Sequence, residues 1–276
     1  MHSTAQMKKF FAASLPIIAI LMLALMMSSP AFGQETDDWC DDHNWGDERE
    51  RYCEVREITL PTGAISVDAG HNGGVSVRAW DRNEILVQVK VQARDEDGRD
   101  AAARLADRVE INTSGNDISA SGPDRLKDRS WWASYRVYVP RNTDLDLEAH
   151  NGGIGIYGVE GRIRFDTQNG GVTLDRVAGD VQGRTSNGGL TVELAGSRWE
   201  GDGLDVETKN GGVKVAIPEN YNAEFETGTR NGSIRIDFPV TVSGEIRRQL
   251  RTTLGSGGAP VRVITTNGGV RVGRSN

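Results

Sequence analysis

The chain has 276 residues, of which 32 are basic and 39 acidic, for a net charge of −7 at pH 7. An acidic chain of this kind lacks the basic footprint of a nucleic-acid binder. Its 34 glycines follow no three-residue period, which excludes a collagen-like chain.

Residues 1–33 read as a secretion leader. Lys8 and Lys9 form a positive start, and Phe10 to Met27 is apolar apart from Ser14 and Pro16. Ala31-Phe32-Gly33 then puts small residues where a signal peptidase reads, so cleavage is expected after Gly33. The alternative is a retained anchor, because about 18 residues can just span a bilayer. The Ser28-Ser29-Pro30 break and the acidic run beyond it favour removal. No Cys stands at the cleavage site, so a lipid anchor is not expected. The mature chain keeps 30 basic and 39 acidic residues, a net charge of −9. It is expected to be exported: periplasmic, on the outer surface or secreted.

Residues 34–56 form an acidic leader that carries Trp39 and Trp45. Cys40 and Cys53, the two cysteines of an exported chain, predict a disulfide. Such a short loop is worth about 3 kcal/mol of chain entropy. A metal site on Cys40, His43 and Cys53 lacks a fourth ligand. A calcium loop lacks the alternating ligands around a central Gly.

From Glu54 the pattern is β. Ile58 to Leu60 and Ile65 to Val67 alternate, Asp81-Arg82-Asn83 reads as a turn, and Ile85 to Val91 is a β-branched strand. The spacing predicts a helix over 100–110, capped by Asp97 or Asp100, with Ala102, Leu105, Ala106 and Val109 on one side. A short hairpin follows around Ser114-Gly115-Asn116, then a polar loop over 122–130, then Trp131-Trp132, Tyr135, Val137 and Val139 leading to Pro140.

The remainder repeats one phrase, Thr-x-Asn-Gly-Gly-apolar-x-apolar. Its copies centre on Asn151, Asn169, Asn187, Asn210, Asn231 and Asn267, with an isolated earlier copy at Asn72. Successive spacings from 151 onward are 18, 18, 23, 21 and 36, the last holding an insertion over about 239–260. Asn and Gly tolerate the left-handed backbone of a sharp corner, so each of these Asn residues is expected to be a structural corner. Two arrangements fit: an antiparallel meander with Asn-Gly hairpins, or a β-solenoid in which each copy is one coil. A meander does not require Thr at 167, 185, 208, 229 and 265, always two before Asn. A solenoid does, because equivalent residues stack about 4.8 Å apart.

These copies, together with Val139-Pro140-Arg141-Asn142-Thr143-Asp144-Leu145 and Asp237-Phe238-Pro239-Val240, resemble the putative-adhesin β-strand-repeat family, a bacterial domain of unknown function related to the head-GIN adhesin domains. The resemblance covers about residues 60–274. It implies a right-handed parallel β-helix or β-solenoid in an exported protein, clearest over 140–274, and it brings no catalytic motif.

No Ser-His-Asp set or metal-ligand spacing stands out, and no catalytic residue or cofactor is assigned. His71 and His150 each precede an Asn-Gly-Gly and read as turn positions. Gly255-Ser256-Gly257-Gly258 lacks the Lys-Ser/Thr of a phosphate loop. Trp131, Trp132, Tyr135, Tyr157 and Trp199 are candidates for a sugar-stacking surface, and Arg247, Arg248 and Arg251 for contact with an anionic surface. The chain therefore reads as a non-enzymatic envelope protein. It binds a surface or polymer in the manner of an adhesin, or acts as a scaffold, with cell-surface polysaccharide, an envelope component or another copy of itself as partner. The alternative is a polysaccharide-cleaving β-helix enzyme built on carboxylates such as Asp166, Asp175, Asp180, Glu193, Asp205 and Glu207.

Overall fold

A computed structural model describes residues 39–40, 50–238 and 248–275, all within one unit spanning Glu35–Asn276. The leader over 1–33, Trp45, His43 and Arg247 lie outside the described residues. The chain is all-β apart from short helical segments.

The first third holds β1 (Arg51–Leu60), β2 (Ile65–Asp68), β3 (Val75–Trp80), β4 (Ile85–Asp95), the helix α1 (Arg99–Ala106), β5 (Glu110–Ser114), β6 (Asp117–Ser121) and β7 (Arg129–Pro140). Strands then alternate in pairs: β8 (Leu145–Ala149) with β9 (Ile154–Tyr157), β10 (Glu160–Thr167) with β11 (Val172–Asp175), β12 (Ala178–Asn187) with β13 (Leu190–Glu193), β14 (Gly203–Asn210) with β15 (Val213–Ile217), and β16 (Ala223–Asn231) with β17 (Ile234–Ile236). β18 (Gln249–Leu254) intervenes before the last pair, β19 (Pro260–Asn267) and β20 (Val270–Arg274).

Two ten-stranded mixed sheets result. The first runs β1-β4-β7-β3-β9-β11-β13-β15-β20-β17, and the second runs β18-β16-β19-β14-β12-β10-β8-β2-β6-β5. In each pair the earlier strand lies in the second sheet and the later strand in the first, joined through Asn-Gly-Gly or, from β16 to β17, Asn231-Gly232-Ser233. Neighbouring pairs stack parallel and in register: Ile163, Phe165 and Thr167 face Val181, Gly183 and Thr185, while Val172 and Leu174 face Leu190 and Val192. Alternation sends every second side chain inward, so the inward residues of both sheets merge into one core. Gly183, which breaks the apolar pattern, leaves room for a neighbour. A Cβ there would sit 2.5 Å from the ring of Phe165 on the next strand.

The stacking order departs from chain order at both ends. β19 and β20 insert between the β14–β15 pair and the β16–β17 pair. The last strand, β20, is therefore paired on both sides, with β15 and β17. At the other end β6 and β7 stack outside β2 and β3, while β8 and β9 take the opposite side. The 79-residue spacing from Asn72 to Asn151 accommodates this excursion.

The helix is shorter than the spacing predicts. Arg56 of β1 donates to the carbonyls of Ala106 and Val109, which draws the chain out of helix after Ala106. Its N-cap is Gly98, with no side-chain cap, rather than Asp97 or Asp100. Ala101, Ala102, Leu105 and Ala106 are buried, and the helix packs on β1, β4 and β7. The outer face of β4 is also covered. Gln88, Lys90 and Gln92 are each at most 8% exposed. Lys90 donates to the Trp39 carbonyl, the Arg136 guanidinium lies 4.0 Å from the Trp39 ring centre, and Trp132 donates to Gln92. The Cys40–Cys53 disulfide ties Trp39 to β1 across that face.

Candidate functional site

The repeated phrase is used almost entirely between neighbouring pairs. The Thr hydroxyls are buried and each donates to the first Gly carbonyl of an adjacent copy: Thr167 to Gly152, Thr185 to Gly170, Thr208 to Gly188, Thr265 to Gly211 and Thr229 to Gly268, at 2.8–2.9 Å. The Asn side chains form one continuous ladder in stacking order. Asn151 donates to Asn72, Asn169 to Asn151, Asn187 to Asn169, Asn210 to Asn187, Asn267 to Asn210, and Asn231 to Asn267.

The glycines serve closeness rather than handedness. No residue of these Asn-Gly-Gly segments has a positive φ, so the left-handed backbone expected at them is absent. A Cβ on Gly188 would instead lie 2.0 Å from the Gly170 carbonyl oxygen, and one on Gly170 equally close to Gly152. The positive φ values cluster at the opposite end of each pair, at Gly158, Arg176, Gly179, Gly196 and Gly201.

The outer face of the second sheet carries cross-strand charge. One register row reads Asp146, Arg164, Gln182, Asp205, Arg262, Glu226, Arg251. Arg164 binds Asp180 at 2.9 Å, Arg184 binds Asp166 at 2.7 Å, Arg262 binds Asp205, and Arg251 binds Glu226 at 3.0 Å. A neighbouring row places Asp68, Glu148 and Asp166 directly opposite one another, beside His71 and His150, whose rings meet edge to face at 5.0 Å. A groove of about 530 Å³ lies over Asp180, Asp205, Glu224, Glu226, Arg251 and Arg262.

The outer face of the first sheet differs. Its central row reads Gly155, Thr173, Thr191, Lys214, Arg271, Arg235. Three cations thus stand directly opposite one another on adjacent strands, an arrangement that is unfavourable in isolation. Arg271 binds Asp237 at 2.8 Å. Lys214 and Arg235 make no ion pair among the described residues.

Residues 57–273 match the model of the Toastrack DUF4097 family. The chain belongs to that family. No curated protein matches this Toastrack chain. Among solved structures it is similar to a putative cell adhesion protein from Clostridium sporogenes, at 10% identity and TM-score 0.41 over 82% of this chain and 100% of that one. A putative adhesin from Bacteroides fragilis aligns at 11% identity and TM-score 0.34, over 81% and 97% of the two chains. A putative lipid binding protein from Parabacteroides distasonis aligns at 12% identity and TM-score 0.25, over 80% and 96%.

Within the Toastrack fold the sequence candidates separate. Trp131 is buried and donates to the Pro123 carbonyl beneath the 122–130 loop. Tyr135 is buried in the core, where desolvation pushes its hydroxyl well above the usual tyrosine range. Trp199 is buried and bonded to the Gly179 carbonyl. Only Trp132 and Tyr157 point outward, so the five aromatics do not form one surface. Arg251 is paired with Glu226, and Arg248 is exposed nearby. Asp166, Asp180, Asp205 and Glu207 lie on the second sheet, whereas Asp175 and Glu193 face each other on the first. Sequence reasoning passed over Lys214 and Arg235. Their shared offset, four residues after Asn in three phrases with Arg271, is the signal that marks them.

Proposed function

We propose that the chain is an exported, non-enzymatic, adhesin-like envelope protein that meets a surface polymer through the outer face of a rigid stack of strands. In this reading residues 1–33 are removed, residues 34–56 form the disulfide-pinned leader, and residues 57–274 form a right-handed β-solenoid with Asn72, Asn151, Asn169, Asn187, Asn210, Asn231 and Asn267 as its corners. The right-handed sense is the one that parallel crossovers within a sheet adopt.

The observation that carries the non-enzymatic reading is the pairing of four of the five carboxylates in the 530 Å³ groove, all but Asp202. Asp180, Asp205 and Glu226 each accept from an arginine, and Glu224 accepts from Thr253. The Arg164 hydrogen bond holds the Asp180 carboxyl below the usual carboxylate range. A general acid needs the opposite shift. Binding screens of the exported chain against envelope polysaccharides and whole cells test the reading. A saturable partner that is recovered uncleaved supports it. Turnover of a polysaccharide, abolished by Asp205→Asn or Glu226→Gln, overturns it.

A further inference from the structure

We propose that the first sheet's outer face over Lys214, Arg271 and Arg235 binds a linear acidic polysaccharide. This deepens the polymer-binding reading and rests on it. Lys214 faces Arg271 and Arg271 faces Arg235 across adjacent parallel strands, so the row spans two strand spacings, about 10 Å. Like charges directly opposite each other on a sheet repel, and an anion bridging them converts that cost into binding.

A second feature of the same place also points to an anion. The row borders a shallow groove lined by Gly189, Gly212, Ser233 and Gly269. The carbonyls of Gly189, Gly212 and Gly269 accept from Val172, Leu190 and Val213. The N–H groups of these three exposed glycines have no protein acceptor among the described residues. They recur at strand spacing in the groove that the cations also line, and so add unpaired backbone donors to it. Lys209 and Arg230, exposed across the Asn-Gly-Gly edge, add positive charge. The acidic neighbours are Asp237, held by Arg271, and Glu193, which faces Ala216 one step along the strands.

A chain-like ligand fits better than a membrane. The row continues along the stacked strands as Thr191 and Thr173, as far as Gly155, against which the Tyr157 ring lies. Among the described residues the large apolar side chain left exposed is Leu126, which lies in the 122–130 loop. Interfacial membrane binding needs a buried apolar face.

The test uses the full exported chain, with polyuronate as acidic polymer, dextran as neutral polymer, and vesicles of phosphatidylglycerol in phosphatidylcholine. Lys214→Glu/Arg235→Glu is compared with Lys127→Glu/Arg104→Glu, which changes the net charge equally elsewhere. Polyuronate binding is expected to fall at least about tenfold in the first variant and less than about threefold in the control. Binding is also expected to weaken with salt. The first variant should melt no lower than the parent, because each new Glu gives Arg271 an opposite-charge neighbour. A purely structural role for the row would lower melting and binding together, and that result overturns the proposal. So do equal losses in the two variants, preferential binding to the vesicles, and a change in sedimentation of the chain alone, which would make a second copy the partner. Binding of dextran as tight as polyuronate overturns the acidic ligand yet leaves the polymer-binding reading standing.

Discussion

The two ends of each strand pair turn the chain by different chemistry. At the Asn-Gly-Gly end the residues of the phrase keep ordinary φ values, although Gly70 just before the Asn72 copy has a φ of 62°, and they are specified by what stacks on them: a Thr hydroxyl, an Asn amide and a Gly carbonyl from the adjacent pair. At the opposite end Gly158, Arg176, Gly179, Gly196 and Gly201 take left-handed backbone, and the connections vary in length and sequence. Repetition in the sequence therefore marks contact between units, while the backbone bend itself leaves an irregular trace.

The strongest way to break this comparison is to add a side chain at each end. Gly188→Val should cost at least about 3 kcal/mol, because its Cβ would stand 2.0 Å from a backbone carbonyl that cannot withdraw. Gly189→Ala, whose Cβ would have 3.5 Å to the Gly212 oxygen, should cost under about 1 kcal/mol. Ser233 already occupies the equivalent place in another copy. At the opposite end Gly196 has nothing within 4 Å of its Cβ but a φ of 73°, so Gly196→Ala should cost about 1 kcal/mol from backbone conformation alone. Denaturant melts of the three variants decide the matter. Equal losses at Gly188 and Gly196 would mean that both ends are governed by backbone conformation.

Next in size is Thr185→Val. It keeps the shape but removes the 2.8 Å bond to the Gly170 carbonyl at a buried position, and should cost about 1–2 kcal/mol. Asn187→Ala removes two ladder bonds, to Asn169 and from Asn210. Because these amides are exposed, about 1 kcal/mol is expected. Asn72→Ala, at the end of the ladder, loses the single bond from Asn151 and should cost about half as much. Equal melting shifts for Asn187→Ala and Asn72→Ala would show that the ladder adds nothing between units.

The sequence made one of these ends legible and hid the other. The Thr-x-Asn-Gly-Gly copies reveal stacked β units, the apolar-x-apolar pairs reveal which side chains point inward, and the family follows from the same residues. The backbone conformation at the phrase was not legible, because Gly is demanded equally by positive φ and by close approach, and one letter cannot separate them. The stacking order was hidden because a pair inserted between two earlier pairs has the same local pattern as one added at the end. The widened gaps before Asn151 and Asn267 were its visible trace. The cation row is spread thinly in the chain, because Lys214, Arg235 and Arg271 are far apart and become neighbours only when their copies stack in register; the inserted order decides that Arg271 stands in the middle.

The smallest expected effect tests how each end is tied to its neighbours. The Asn ladder is neutral and should hold at any pH. The opposite end is tied by charge: Arg162 to Asp144 at 3.1 Å, and Arg164 to both the carbonyl and the carboxylate of Asp180 just beyond Gly179. The Arg164 hydrogen bond, opposed by some desolvation, lowers the folded pKa of Asp180. The unfolded chain, with an ordinary carboxylate pKa of about 3.9, then binds the proton more readily than the folded chain, so stability rises with pH across that interval. The contribution is complete above the unfolded value and is lost as pH falls through the lowered folded one. For an exposed pair it should amount to about 0.2–1 kcal/mol. Hydrogen exchange on lowering the pH from 6 to 3 should therefore accelerate at 178–182 before it does at 187–190, once the intrinsic pH dependence is divided out. Arg164→Ala should remove that difference. If 187–190 opens first, the amide ladder is the weaker tie, and the division between a neutral end and a charged end fails.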